Sequence, residues 1–164
     1  MNMNQFTQKS LAAIQGAQDI ALEHGNQQIE QAHLLLALAG DAEGFIPQLL
    51  AAMGMTVPSF EAAVKAEVDK LPKVTGSGRE SGKVYVSQDV DRALQAAGQE
   101  AQAMKDEYIS VEHILLGLLA HPNSALKELF RTYGLTKEGV LQALAAVRGN
   151  QRVTSDNPEE TYNA

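Results

Sequence analysis

Cysteine is absent from the 164 residues, which removes disulfides, thiolate nucleophiles and cysteine-based zinc sites together. Positive charge is scarce: 13 Lys and Arg face 20 Asp and Glu, for a net charge of −7 and a pI near 5.0. That balance argues against a nucleic-acid module, which needs a cationic face to neutralise phosphates. No apolar run approaches the roughly 20 residues that span a bilayer, so no membrane partner is expected. The opening Met1-Asn2-Met3-Asn4-Gln5-Phe6 lacks the charged start and long apolar stretch of a signal peptide. Period-two alternation long enough for a strand is missing too. What is there is ordinary for a folded domain: 45% apolar and 20% charged residues, in a chain long enough to bury a core. These values lead to an acidic, globular, cytoplasmic domain.

Sliding the sequence against itself by eighty positions aligns two halves without a gap. Ile29-Glu30-Gln31-Ala32-His33-Leu34-Leu35-Leu36-Ala37-Leu38 falls on Ile109-Ser110-Val111-Glu112-His113-Ile114-Leu115-Leu116-Gly117-Leu118. Upstream, Gln8, Ala13, Gln15, Ala17 and Ala21 meet Gln88, Ala93, Gln95, Ala97 and Ala101; downstream, Leu49, Gly54 and Thr56 meet Leu129, Gly134 and Thr136. Chance would not hold identities in phase over such a span. The chain therefore reads as two tandem copies, residues 6–71 and 86–149, of one supersecondary unit.

Each copy reads as four helices. The first starts after Thr7 or Ser87, whose hydroxyls can accept an orphan backbone N–H, and Gly25 marks a stop in the first copy. The second carries His33 to Ala39, or His113 to Ala120, and is apolar on nearly every side, as befits the middle of a bundle. The third ends at Gly54 or Gly134. Thr56 and Thr136 cap the fourth, with Pro58 near its start, and in the first copy it closes at Leu71-Pro72. The fold class is all-α, a pseudo-two-fold bundle of eight helices. Residues 72–85 form a Gly/Ser-rich connector, and 151–164 read as the start of a flexible linker, leaving 1–150 as the domain.

Signals for chemistry are few. Gly78-Arg79-Glu80-Ser81-Gly82-Lys83-Val84 approaches a phosphate-binding loop, but its glycine spacing is one residue short and Val84 stands where a magnesium-binding hydroxyl belongs. His33 and His113 occupy matching places, yet no carboxylate recurs beside both, so they read as packing residues bonded to nearby backbone. No Gly-x-Ser-x-Gly elbow is present. The residues thus describe an interaction module without catalysis, cofactor or metal. Two similar units side by side would leave a groove along their shared boundary for peptides held by apolar anchors. Thr7 and Ser87 stand at helix starts, where free N–H groups attract polar or anionic groups.

The doubled Ile-x-x-x-His-[Leu/Ile]-Leu-Leu-x-Leu element at 29–38 and 109–118 resembles the Clp repeat, found twice in the N-terminal domain of Clp ATPases. Leu71-Pro72-Lys73-Val74, Val86-Ser87-Gln88-Asp89 and the stretch from Arg152 to Glu160 look like the ClpB disaggregase branch. The resemblance implies a domain tethered to absent AAA+ modules, which would hold ATP and magnesium in a stress-response, heat-shock chaperone. The parent would be a hexameric ring threading aggregated polypeptide with a DnaK-type partner; the isolated domain would be monomeric. The domain would capture unfolded or aggregated proteins, or alternatively dock a folded adaptor. Carried over by motif, the client-binding residues are Thr7 and Ser87, with Asp106 and Glu112 as acidic groups. Ala32 fills the acidic place in the first copy. Val90 and Leu94 are the apolar groove candidates. Replacing Thr7 and Glu112 with Ala is expected to leave the fold largely intact, at about 1 kcal/mol per lost cap.

Overall fold

The computed structural model describes residues 3–74, 84–149 and 152–156. Most of the connector, with the Gly78 to Lys83 pattern, and the end of the linker lie outside the described residues. A 3-10 turn at Met3–Gln5 leads into α1 (Gln8–Glu23), β1 (Gln28–Ile29), α2 (Gln31–Ala39), α3 (Phe45–Ala52) and α4 (Val57–Asp69). The second copy supplies β2 (Tyr85–Val86), α5 (Gln88–Ala103), α6 (Val111–Ala120), α7 (Ser124–Tyr133) and α8 (Lys137–Arg148). Among the described residues the architecture is all-α, four helices per copy, with only a two-residue strand pair added. Two residues are too few to leave a period in sequence, which is why those strands went unanticipated.

The termini of the helices follow local chemistry. Thr7 and Ser87 accept the N–H of Ser10 and Val90, each at 3.2 Å, and Thr136 accepts that of Gly139 at 3.1 Å. Thr56 holds the N-cap of α4 without a side-chain hydrogen bond; Pro58 sits in the first turn, where its missing N–H is harmless. The third helices end ahead of Gly54 and Gly134, which adopt φ of 84° and 65°, a left-handed backbone that favours glycine. After α1 the stop is Gly25 with φ 70°, but its counterpart after α5 is Lys105 with φ 60°, a left-handed lysine.

An approximate dyad relates the copies. Ile29 pairs in parallel with Val86, and eighty residues on, Ile109 pairs in parallel with Phe6. The bonds repeat as well: Ser87 N–H donates to the Ile29 carbonyl at 3.1 Å, and Thr7 N–H to the Ile109 carbonyl at 3.0 Å. Each repeat thus lends its leading residues to the other. The same exchange sets α3 against α8 and α4 against α7, while α2 and α6 meet in the centre.

The core lies around those central helices. Leu34, Leu35, Leu38, Ile114, Leu115, Leu116 and Leu118 are buried, as expected for helices apolar all round. Gly117 permits a close approach of α6 to α5: a Cβ there would collide with the Ala93 carbonyl oxygen and stand 3.0 Å from the Ala97 nitrogen. Buried Gln31 stitches the seam with polar bonds. Its Nε2 donates to the carbonyls of Asp89 and His121 at 3.0 and 2.7 Å, and its Oε1 accepts the Asn123 N–H at 2.8 Å. Every polar atom of that amide head is used, so its burial leaves no orphan.

Candidate functional site

The two buried histidines carry the first part of the site's geometry. Glu30 N–H donates to His33 Nδ1 and Ser110 N–H to His113 Nδ1, both at 2.8 Å. An Nδ1 that accepts cannot hold the proton, so each ring donates from Nε2. His33 donates to Asn26 Oδ1 at 2.8 Å, and His113 to Asp106 Oδ2 at 2.7 Å. Each histidine therefore staples the start of a central helix to the loop before it, in agreement with the packing role read from sequence. Burial, reinforced by nearby His24, holds His33 down to about 4, so it is neutral at pH 7.

The copies diverge around that shared staple. In the first, Asn26 completes itself by donating Nδ2 to the Pro72 carbonyl at 3.0 Å, and Ala32 and Val68 are buried. The aligned positions in the second copy are Asp106, Glu112 and Arg148, all charged and all buried. Arg148 Nη2 donates to Asp106 Oδ1 at 2.6 Å, and its Nη1 lies 3.6 Å from Glu112 Oε2. Val153 N–H adds a bond to Asp106 Oδ1 at 2.9 Å. Burial pushes the Asp106 carboxyl up, but the bonds from His113, Arg148 and Val153, with the guanidinium charge, outweigh it and hold it at about 2. Neither Glu112 oxygen accepts a hydrogen bond from a described residue; the guanidinium is its counter-charge.

The structure brings Asp106 and Glu112 together through Arg148, but inside the fold. Glu112 and Thr7 are 0% exposed. Ser87, Val90, Leu94 and Asp106 are buried as well. The physical reasons differ. Thr7 and Ser87 are consumed as helix caps, Val90 and Leu94 belong to the apolar core, and the two carboxylates are turned toward a guanidinium. In this conformation none of the six offers its side chain to a partner. Losing Glu112 would unbalance a buried charge cluster, which is expected to cost more than a helix cap.

Large apolar side chains of α2 and α6 pack together where the two copies meet. Open space lies instead where side chains are small. A concavity of about 490 Å³ runs between α1, the end of α2, the start of α3, and α4. Ala12, Ala13, Gly16 and Ala37 form its floor, and Ile20 and Leu36 its half-buried apolar walls. Lys9, Asp41, Glu61 and Lys65 stand on its margin, two of each sign. Such a groove offers apolar contact and weak, mixed electrostatics, suited to side chains held without strict sequence reading. A second concavity lies over the other copy.

The sequence reading missed these residues because alanines in an apolar helix are ordinarily core; the signal was their clustering on one side of α1 at positions 12, 13 and 16. It also missed Arg148, whose signal was the joint change of Asn26, Ala32 and Val68 to charged residues eighty positions later. Among the described residues, no group of three or more His, Asp or Glu side chains could hold a metal ion, and no helix is long and apolar enough to cross a membrane.

Comparison with known proteins adds the following. The family model described as the Clp repeat (R) N-terminal domain matches residues 5–133. The chaperone protein ClpB of Bacillus cereus is 42% identical over 164 residues, covering 100% of this chain and 19% of that protein. That of Nitratidesulfovibrio vulgaris is 42% identical over 165 residues, with the same coverage, 100% and 19%. The chain thus spans about a fifth of the length of these relatives (19%). Among solved structures, the Hsp104 N-terminal domain from Candida albicans superposes with a TM-score of 0.80 at 24% identity, covering 94% of this chain and 99% of that one. A ClpV N-domain in complex with a VipB peptide gives a TM-score of 0.68 at 18% identity, covering 95% and 91%. At such identities the structures establish the shared fold.

Proposed function

Because the chain belongs to the Clp repeat N-terminal domain family and is of the ClpB type, we propose that it is a non-catalytic capture domain for unfolded or aggregated polypeptide. On this reading a longer parent protein holds the ATPase modules, forms a hexameric ring in the cytoplasm, and works with a DnaK-type partner in stress. The observation that carries it is the small-floored apolar groove at α1, with its balanced margin. Unfolded segments share exposed apolar side chains rather than any fixed charge pattern, and a shallow groove floored by Ala and Gly accepts many of them weakly. Thr7, Ser87, Val90, Leu94, Asp106 and Glu112 enter as the groups that fix α1, α5 and α6 in place beneath the binding surface.

Titrating the isotopically labelled chain with a reduced, alkylated and permanently unfolded protein tests this by NMR. Shifts should gather at Ala13, Gly16, Ile20, Leu36 and Ala37, and the native form of the same protein should produce none. Absence of localised shifts at high client concentration would refute capture. A second reading, docking of a folded adaptor, draws support from the ClpV N-domain complex, whose ligand is a peptide of one defined protein. Binding that demands a native partner at fixed stoichiometry would favour it.

A further inference from the structure

The second concavity, about 700 Å³, lies on the opposite copy, between the start of α5, the end of α6 and the α7–α8 turn. Leu119, Phe130 and Leu135 give it an apolar floor, and Arg92, Lys127, Arg131 and Lys137 a predominantly cationic rim in which Asp89 is the one carboxylate. Four of the chain's 13 basic residues thus meet at one opening in a molecule of net charge −7. The duplication makes this concentration conspicuous. The positions eighty residues earlier are Ala12, Pro47, Ala51 and Val57, with no charge among them. One copy therefore carries a positive rim that the other copy of the same fold lacks.

The rim's charges are only loosely committed. Arg92 lies 3.3 Å from Asp89 and Lys137 2.6 Å from Glu100, while Arg131 pairs with Glu128 one turn earlier on its own helix. These cations are 57%, 45% and 78% exposed; the Arg92 and Arg131 pairs, open to solvent on both sides, contribute little to stability, so a partner's carboxylate can replace them at small cost, while Glu100, only 14% exposed, holds Lys137 more firmly. Exposed Lys127 makes no ion pair among the described residues.

We propose that this concavity is a docking site for an acidic peptide segment of a partner protein, with carboxylates flanking one or two large apolar side chains. Charge complementarity selects the acidic ends, and the Leu119–Phe130–Leu135 floor selects the apolar centre. A nucleic acid would leave that floor unused and would meet the negative remainder of the surface. The site is separate from the α1 groove and does not depend on its function.

The 164-residue chain can be tested by fluorescence anisotropy with a labelled short peptide in which Leu-Phe is flanked by glutamates. Its Glu→Gln counterpart should bind about tenfold more weakly, and raising NaCl from about 50 to about 300 mM should weaken the acidic peptide alone. The Lys127→Glu/Arg131→Glu double variant, changed only at exposed positions, should lose the acidic peptide while keeping its circular dichroism and thermal midpoint. NMR shifts should fall on Phe130 and Leu135. Equal binding of the Gln peptide, full binding by the double variant, shifts at Gly16 and Ala37 instead, or tighter binding of a short oligothymidylate would each overturn the proposal.

Discussion

Arg148→Met should destabilise the domain far more than a surface arginine would. The substitution keeps much of the side-chain volume but leaves Asp106 and Glu112 buried without their shared counter-charge. Breaking a buried pair by removing one partner costs about 3–5 kcal/mol. The depressed carboxyl is of the same order: lowering Asp106 from 3.8 to about 2 corresponds to roughly 2 kcal/mol of native-state preference for the charged form, shared among the bonds from His113, Arg148 and Val153. Since its folded-state value lies below the unfolded one, that contribution is present above pH 4 and lost as pH falls toward 2. Urea unfolding followed by far-UV circular dichroism at neutral pH measures the loss, and a series from pH 5 to pH 2 should show a flatter decline in the variant. A triple variant, Asp106→Asn, Glu112→Met and Arg148→Met, imitates the neutral chemistry of Asn26, Ala32 and Val68. It should return to within about 1–2 kcal/mol of the parent. A single variant costing less than about 1 kcal/mol, or a triple variant no better than the single, would refute the account of this cluster.

Three other outcomes are expected. Gly117→Ala should cost at least about 1–3 kcal/mol, because α5 and α6 must separate to admit a methyl group; denaturant midpoints will show it. Stability should fall between pH 6.5 and pH 4, where the unfolded chain protonates the residue at 33 but the folded one, with His33 held at about 4, does not; the shift of about 2.5 units is worth roughly 3 kcal/mol, and His33→Gln should flatten that limb of the profile. Lys105→Gly should raise stability by roughly 0.5–1 kcal/mol in thermal unfolding, since glycine adopts φ 60° without strain.

The duplication and its helices were legible because they rest on local signals: a phase of eighty residues, caps such as Thr7 and Ser87, and stops such as Gly54 and Gly134. The buried charges were not. Asp106 and Glu112 were carried over by motif as client-binding groups, and the residue that neutralises them inside the fold, Arg148, is remote in sequence and reaches them only through tertiary packing. The α1 groove was hidden for a different reason. Ala12, Ala13 and Gly16 are small enough to be core anywhere, and only the arrangement of α3 and α4 leaves space above them. Strand pairing between Phe6 and Ile109 depends on contacts more than a hundred residues apart, which no periodicity records.

The crossed pairing of Phe6 with Ile109 and Val86 with Ile29 has an architectural corollary. A solitary repeat would possess an extended arm with nothing to lie against and an edge with no arm to receive. Two identical solitary repeats could satisfy each other completely by trading arms about a true two-fold axis. The smallest version of this fold that satisfies its own arms and edges is consequently a pair, and joining the pair in one chain allows its members to differ, one with a neutral interior and the other with ions.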